Sequence, residues 1–372
     1  PVVTGLAVLV AALPSLLGVG TFTTWLYRAL VFLVASCPCA LVISIPLGFY
    51  AGIAASARRG VLLKGGKFVE RLAKVQAVAY DKTGTLTTGA LTLERVVPSP
   101  GTDAGEVLRQ AAMLEQYSTH PLARAIVEAA GEIPPAPEGL RELPGIGVEA
   151  GEIACGGLRL LEEKGIALAS LPTDMRDASA FLVTGGTVTA AFYVKAQLQE
   201  GAARTVTALG QLGVSRQVML TGDRQAQANE VAAAVGLSEV RAELLPEDKL
   251  TAVQSLQREG LITAFVGDGI NDAPVLTEAD VGLAMGLGSP AAIETADAVL
   301  VSGGLSGLPG AVKLCRRVMR IVRENIVFAL AVKAAVLVLA VCGFAPMWLA
   351  VFADMGVTLI SVANVLRLLA KR

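Results

Sequence analysis

The sequence predicts a membrane α-helical bundle of four spans joined to a cytoplasmic α/β insert at about residues 60 to 322. Three observations carry this. First, 53% of the 372 residues are hydrophobic and the mean hydropathy is +0.61, more apolar than an ordinary soluble chain. Second, four apolar stretches are long enough to cross a bilayer. Third, three apolar runs inside the insert each stop at a cluster of acids, Gly and Thr, as strands do at the ligand-binding edge of an open α/β sheet. The net charge of −1 offers no electrostatic footprint for nucleic acid, which is excluded as a partner. Five cysteines, two of them in one apolar run, do not suggest a disulfide framework.

The spans are read in order as Val2 to Val19, Trp25 to about Ala57, Ile326 to Phe344 and Met347 to Leu369. Thr21 to Thr24 and Gly343-Phe344-Ala345-Pro346 are short outer connections. Arg58, Arg59, Lys64 and Lys67 follow the second span; Arg316, Arg317, Arg320 and Arg323 precede the third; Lys371 and Arg372 follow the fourth. The positive-inside rule makes these ends, and the insert between them, cytoplasmic. The expected domains are 1–60 (two membrane helices), 61–89 (linker and first part of one α/β domain), 90–196 (an inserted α+β domain), 197–322 (second part of the α/β domain and linker) and 323–372 (two membrane helices). The chain starts at Pro1, already within an apolar run, and is read as part of a longer protein.

In the insert, the run Val75 to Tyr80 reads as a buried strand ending at Asp81-Lys82-Thr83-Gly84-Thr85. Taken alone, this could equally be a turn, since Asp, Gly and Thr form turns. As a site, it sets a candidate carboxylate nucleophile for a phosphoryl group among a Lys, hydroxyls and a close-approaching backbone. Gln217 to Leu220 ends in Thr221-Gly222-Asp223, a hydroxyl and amide suited to a phosphoryl oxygen. Leu261 to Val266 ends in Gly267-Asp268-Gly269-Ile270-Asn271-Asp272, oxygen ligands suited to Mg²⁺. Lys249 supplies a point charge for the same group.

With these residues in hand, the chain resembles the P-type ATPases, whose phosphorylation domain has a haloacid dehalogenase-like fold. The resemblance implies that Asp81 is phosphorylated by ATP, that Lys82, Thr83, Thr221, Gly222, Asp223, Lys249, Asn271 and Asp272 assist, and that Asp81, Thr83 and Asp268 hold Mg²⁺. It also implies earlier membrane helices and an actuator domain with a Thr-Gly-Glu loop, a tripeptide that this chain lacks.

Residues 90–196 contain His120, the single histidine, before Pro121 at the start of a helix over Leu122 to Ala130. Glu115 and Ser118 precede it, and Gly145-Ile146-Gly147 forms a tight turn further on. This set resembles the nucleotide-binding domain of the heavy-metal P-type ATPases, which implies that Glu115, His120, Gly145 and Gly147 cradle adenosine. The family often continues with Asp-x-Leu-Arg, where this chain has Ala196, Leu198 and Gln199.

The second span holds Cys37-Pro38-Cys39. Proline breaks the helical ladder and thiolates select soft ions; the alternative is that Cys serves as a small apolar residue. Lys333 and Asp354 are charges inside the third and fourth spans, costly unless paired or functional. The combination resembles the zinc, cadmium and lead exporters, with Cys37, Cys39 and Asp354 as ion ligands and Lys333 as counter-ion. The expected activity is ATP-driven export of Zn²⁺, Cd²⁺ or Pb²⁺ across a cell membrane, a bacterial inner membrane. The rivals are a Cu⁺ exporter, a membrane-tethered phosphatase using the same Asp chemistry, and a metal sensor.

Overall fold

The structure, a computed structural model, describes residues 2–269 and 272–369. The chain forms two compact units, one of residues Leu86–Gln199 and the other of the segments on either side. Asn271, Lys371 and Arg372, named above, lie outside the described residues.

Helix α1 spans Val2–Leu16, α2 Phe22–Ala35 and α3 Cys39–Ala57. Gly18 and Gly20, at φ +72° and +78°, stop α1 short of the expected Val19. At 15 residues α1 is about 22 Å long, below the hydrocarbon thickness. Among the described residues, three segments are long and apolar enough to cross a membrane: Phe22–Ala57, Gly304–Cys342 and Met347–Leu366. The first is interrupted at Ser36–Pro38, where proline removes a backbone donor and the ladder restarts at Cys39.

Next come β1 (Val61–Leu63), α4 (Gly66–Ala73) and β2 (Ala77–Asp81), then an irregular turn over Lys82–Leu86. The Leu86–Gln199 unit follows: β3 (Thr87–Pro98), α5 (Ala104–Glu115), α6 (Pro121–Ala130), β4 (Arg141–Leu143), β5 (Gly147–Ala150), β6 (Ile153–Gly156), α7 (Leu158–Glu163), β7 (Ala180–Thr184) and β8 (Thr187–Leu198). Its sheet is antiparallel in the order β3-β8-β7-β6-β5-β4. Successive strand residues point to opposite faces, so Leu182 joins Leu114, Ile126 and Phe192 in one core and Phe181 joins Leu160 and Met175 in the other. Asp103 starts α5 by accepting the Glu106 N–H at 2.9 Å.

The first unit resumes with α8 (Ala202–Gln211), β9 (Arg216–Leu220), α9 (Gln225–Val235), β10 (Glu239–Arg241), α10 (Pro246–Arg258), β11 (Thr263–Gly267), α11 (Ala273–Glu278), β12 (Val281–Met285), α12 (Pro290–Thr295), β13 (Ala298–Leu300), α13 (Leu308–Cys342) and α14 (Met347–Leu366). Its sheet runs β1-β13-β12-β11-β2-β9-β10, parallel except for β1 against β13. β2, β11 and β12 are buried along their whole length, as expected of strands covered on both faces. β2 lies between β11 and β9, so the ends of all three strands meet at one edge.

The third apolar stretch is the far half of a longer helix. The sequence reading separated a linker from a span starting near Ile326, but α13 runs unbroken for 35 residues, about 52 Å. No Gly or Pro interrupts it between Ala311 and Cys342. The Arg316 guanidinium on its basic half donates to Ala73 O at 3.0 Å and also to Leu212 O, tying the helix to the α/β sheet.

Candidate functional site: a carboxylate cluster and an intramembrane ion pair

Asp81 closes β2, Thr221 follows β9 and Asp268 follows β11, so the sheet topology alone brings them together. Asp81, Asp268 and Asp272 offer carboxylate oxygens within 4.8 Å of one another. Lys249, reaching in from α10, bonds Asp81 and lies 3.0 Å from Asp272 Oδ1. Asp81 and Asp272 are only 6% and 2% exposed. Burial, then the neighbouring Asp272, push the Asp81 carboxyl up to about 6, against the pull of Lys249. Asp268 is raised by burial first and Asp272 second. Burial works against the charge on Lys249, but Asp81 and Asp272 outweigh it and raise its pKa.

The Thr221 hydroxyl donates to Asp223 Oδ2 at 3.1 Å and accepts the Asp223 N–H at 3.1 Å. Lys82 pairs with Asp223. Thus Lys82 faces the β9 end, while Lys249 holds the nucleophile candidate. Thr83 is exposed on the turn. Gly222 leaves room for Leu244 O, 3.2 Å from where a Cβ would lie.

In the Leu86–Gln199 unit, His120 caps α6 by accepting the Leu122 N–H on Nδ1 at 3.2 Å, leaving the exposed ring's other nitrogen outward. Its own N–H donates to Ser118 Oγ at 3.3 Å. Glu115 is buried at the end of α5 against the Cys155 thiol. Burial raises its carboxyl to about 7; hydrogen bonds from Cys155 and Ser118 oppose this, and Glu142 adds to it. Gly145, at φ +73°, makes the turn between β4 and β5. At Gly147 a Cβ would overlap Cys155 O and lie 2.7 Å from Gly156 Cα. A side chain here is therefore excluded by the neighbouring strand β6.

Between the membrane helices, Lys333 Nζ lies 2.8 Å from Asp354 Oδ1. It also donates to Ala35 O at 3.3 Å and to Cys37 O, carbonyls freed where α2 breaks. The side chains of Cys37 and Cys39 lie against one another, with Cα atoms 5.6 Å apart. The break around Pro38 turns both side chains to one side. As thiolates, the two sulfurs could be presented together to one ion. Among the described residues, Cys155, Cys315 and Cys342 are free.

A family profile described as haloacid dehalogenase-like hydrolase matches residues 75–280, more than half of the chain. This chain belongs to the haloacid dehalogenase-like hydrolases. It is 42% identical over 380 residues to the cadmium, zinc and cobalt-transporting ATPase of Bacillus subtilis (strain 168), covering 99% of this chain and 54% of that one. It is 42% identical over 378 residues to the zinc-transporting ATPase of Synechocystis sp., covering 99% of this chain and 52% of the relative. The crystal structure of a zinc-transporting PIB-type ATPase in its E2.Pi state superposes with a TM-score of 0.90 at 39% identity, over 100% of this chain and 62% of that one. The chain thus spans about half the length of the curated relatives it matches.

The haloacid dehalogenase-like edge fits Mg²⁺: its three clustered carboxylates are hard oxygen donors, and Lys249 balances part of their charge. Gly84, Gly288 and Ser289 also shape the surroundings of Asp268. A Cβ on Gly84 would overlap the Asp268 carboxylate, so the glycine makes room for that group. The Ser289 N–H donates to Asp268 O at 2.8 Å, and a Cβ on Gly288 would sit 2.7 Å from the same oxygen. Nothing local to Asp268 marks residues 20 positions away; only the return of the chain after β12 brings them there.

Proposed function

We propose that the longer protein carrying this chain is an ATP-driven exporter of Zn²⁺, with Cd²⁺ and Pb²⁺ as related cargo, working through an aspartyl-phosphate on Asp81. The observation that carries the reading is one chain holding both the Asp81–Lys249–Asp272 cluster and the Lys333–Asp354 pair at the Cys37-Pro38-Cys39 break. A phosphatase has no use for the second. The carboxylate of Asp354 beside two sulfurs favours a divalent soft ion over Cu⁺.

In this reading Asp81 attacks the γ-phosphorus of ATP, the bond to the β,γ-bridging oxygen breaks, and ADP leaves. Lys249 and the Thr221 hydroxyl take up charge on the transferred phosphoryl oxygens. Asp81 and Asp268, with Thr83, would hold Mg²⁺, whose positive charge offsets that of the phosphates. Glu115, His120, Gly145 and Gly147 bind the adenosine end. In the membrane, reduced Cys37 and Cys39 with Asp354 take the ion, and Lys333 reclaims Asp354 once the ion has left. The large units face the cytoplasm, across a bacterial inner membrane. Dephosphorylation by a Thr-Gly-Glu loop falls to another part of the longer protein.

The test is Asp81→Asn in the full-length protein. Acid-stable label from γ-labelled ATP is expected to vanish while nucleotide still binds. Label at the unmutated level would remove the reading.

A further inference from the structure

A second polar layer lies inside the bundle, on the cytoplasmic side of the Lys333–Asp354 pair. Ser44, Asn325 and Ser361 are only 1%, 3% and 1% exposed, in helices whose other buried residues are mostly small or apolar. The hydroxyls of Ser44 and Ser361 have no hydrogen-bond partner among the described residues. Ser56, further along α3, is also buried and unpartnered, but it stands alone, whereas Thr358 in α14 bonds back to Asp354 O at 2.8 Å. A hydroxyl left unpaired in an apolar interior is a cost that calls for an occupant.

The register of the helices sets the three residues at one level. On the outer side, Ala40 of α3, Ala329 of α13 and Val357 of α14 pack as one cluster. On the cytoplasmic side, Gly48 of α3 is closed off by Val322 of α13, 2.9 Å from where a Cβ would lie, with Val365 of α14 at 3.9 Å. Ser44 is four residues from both Ala40 and Gly48, Ser361 four from both Val357 and Val365, and Asn325 lies between Val322 and Ala329. Residues three and four apart share a helix face, so the polar groups form a layer between two apolar seals. Asn325 Nδ2 donates to Ser361 O at 3.1 Å, which fixes the α13–α14 side directly. The helical rise puts this layer about 7 to 10 Å from Cys39 and Asp354.

A polar line continues from the layer to the basic end of α14. Asn364 Nδ2 donates to Asn325 Oδ1 at 2.9 Å, and Arg367 donates to Asn364 Oδ1 at 2.8 Å. It passes beside Val322 and Val365. Pro46, two residues past Ser44, removes one rung of the α3 ladder and gives that helix a place to bend.

We propose that Ser44, Asn325 and Ser361 form an oxygen-lined waiting site for a partly hydrated divalent cation passing between the cytoplasmic end of the bundle and Cys37, Cys39 and Asp354. The inference rests on the export reading above. Uncharged hydroxyl and amide oxygens hold such an ion weakly, by replacing some of its waters. The thiolates and carboxylate further in hold it tightly. A weak stop ahead of a strong one lets the ion enter without trapping it early.

The test is made on the reduced full-length protein in lipid nanodiscs, with Zn²⁺ as the probe. Loading is followed by stopped-flow against a zinc-sensitive dye. The Ser44→Ala/Ser361→Ala double variant is expected to load several-fold more slowly, with the bound Zn²⁺ at equilibrium and its sulfur coordination unchanged. Ser44→Thr/Ser361→Thr, which keeps both hydroxyls, should restore much of the rate. Ser44→Cys/Ser361→Cys should turn the weak stop into a trap that retains an additional sulfur-bound Zn²⁺ and slows turnover. A layer that only packs, or only holds a structural water, would shift the melting temperature of the Ala variant and leave its loading rate at the wild-type value, and that result overturns the proposal. So does unchanged Zn²⁺ stoichiometry in the Cys variant. Wild-type protein that binds no Zn²⁺ would sink the export reading, and the waiting site with it.

Discussion

At the scale of single residues, the carboxylate edge is governed by crowding. Three carboxylates share one buried spot, and one ammonium offsets them. Gly84 is part of the same economy of space, because its missing side chain is where the Asp268 carboxylate sits, and its φ is +73°. Gly84→Ala is therefore expected to displace Asp268 and cost about 1–3 kcal/mol in backbone strain. A shift of a reacting group by about 1 Å costs about 10²-fold in rate, so Mg²⁺-dependent phosphorylation should fall by that order. Rapid-quench phosphorylation together with thermal unfolding measures both effects, and phosphorylation at the wild-type rate would contradict the crowding argument. Glu115 gives a pH prediction. Burial raises its carboxyl from 4.5 to about 7, so folding favours the protonated form. That contribution is present in full below the unfolded value and is lost as pH rises through about 7. Stability should therefore decline between about pH 4.5 and 7 by up to about 3 kcal/mol from this group. Glu115→Gln should flatten the decline in urea unfolding followed across that pH range. A variant with the same slope as wild type would assign the pH dependence to other groups.

At the scale of elements, the α2–α3 break and Lys333 explain each other. Breaking the helix frees carbonyls at Ala35 and Cys37, and one ammonium on α13 caps them while holding Asp354 on α14. Removing Lys333 alone leaves a buried carboxylate and bare carbonyls. Removing one partner of a buried pair typically costs about 3–5 kcal/mol, whereas replacing both with neutral groups costs less. Lys333→Met should thus destabilise the protein in detergent more than Lys333→Met/Asp354→Asn does. Thermal unfolding of the two variants decides it, and equal losses would mean that the carbonyl contacts, not Asp354, dominate the role of Lys333.

At the scale of the whole molecule, the chain leaves the seven-stranded sheet after Thr85 and returns at Glu200, with a separate six-stranded antiparallel unit between. That unit has a hydrophobic core on each face of its sheet, and its first and last strands, β3 and β8, are paired. Residues 86–199 expressed alone should therefore fold, with a single cooperative transition in urea and dispersed amide resonances. A molten product lacking that transition would show that the core depends on the flanking segments. The same excision isolates Glu115 and His120, so adenosine nucleotide titrated into the fragment also checks where the nucleotide binds.

The sequence alone determined the apolar helices, the three strand ends and the identity of most of the residues that meet there. Apolar runs, proline and strand-terminal acids act locally, and their consequences can be read where they stand. The pairing of Lys333 with Asp354 was also foreseeable, because an unpaired charge in an apolar span is costly. What only the tertiary structure decided concerns residues distant in the chain. The order β11-β2-β9 sets Asp81 between Asp268 and Thr221, and α10 then delivers Lys249 to Asp81 rather than to solvent. Gly84 faces Asp268 across 184 positions of sequence, and Gly147 packs closely against Cys155 and Gly156 of the neighbouring strand. Ser44, Asn325 and Ser361 look unremarkable one by one, and they become a polar layer only because three helices align them in register. Each of these depends on packing between elements, a property that pairwise contact creates and no local run of residues contains.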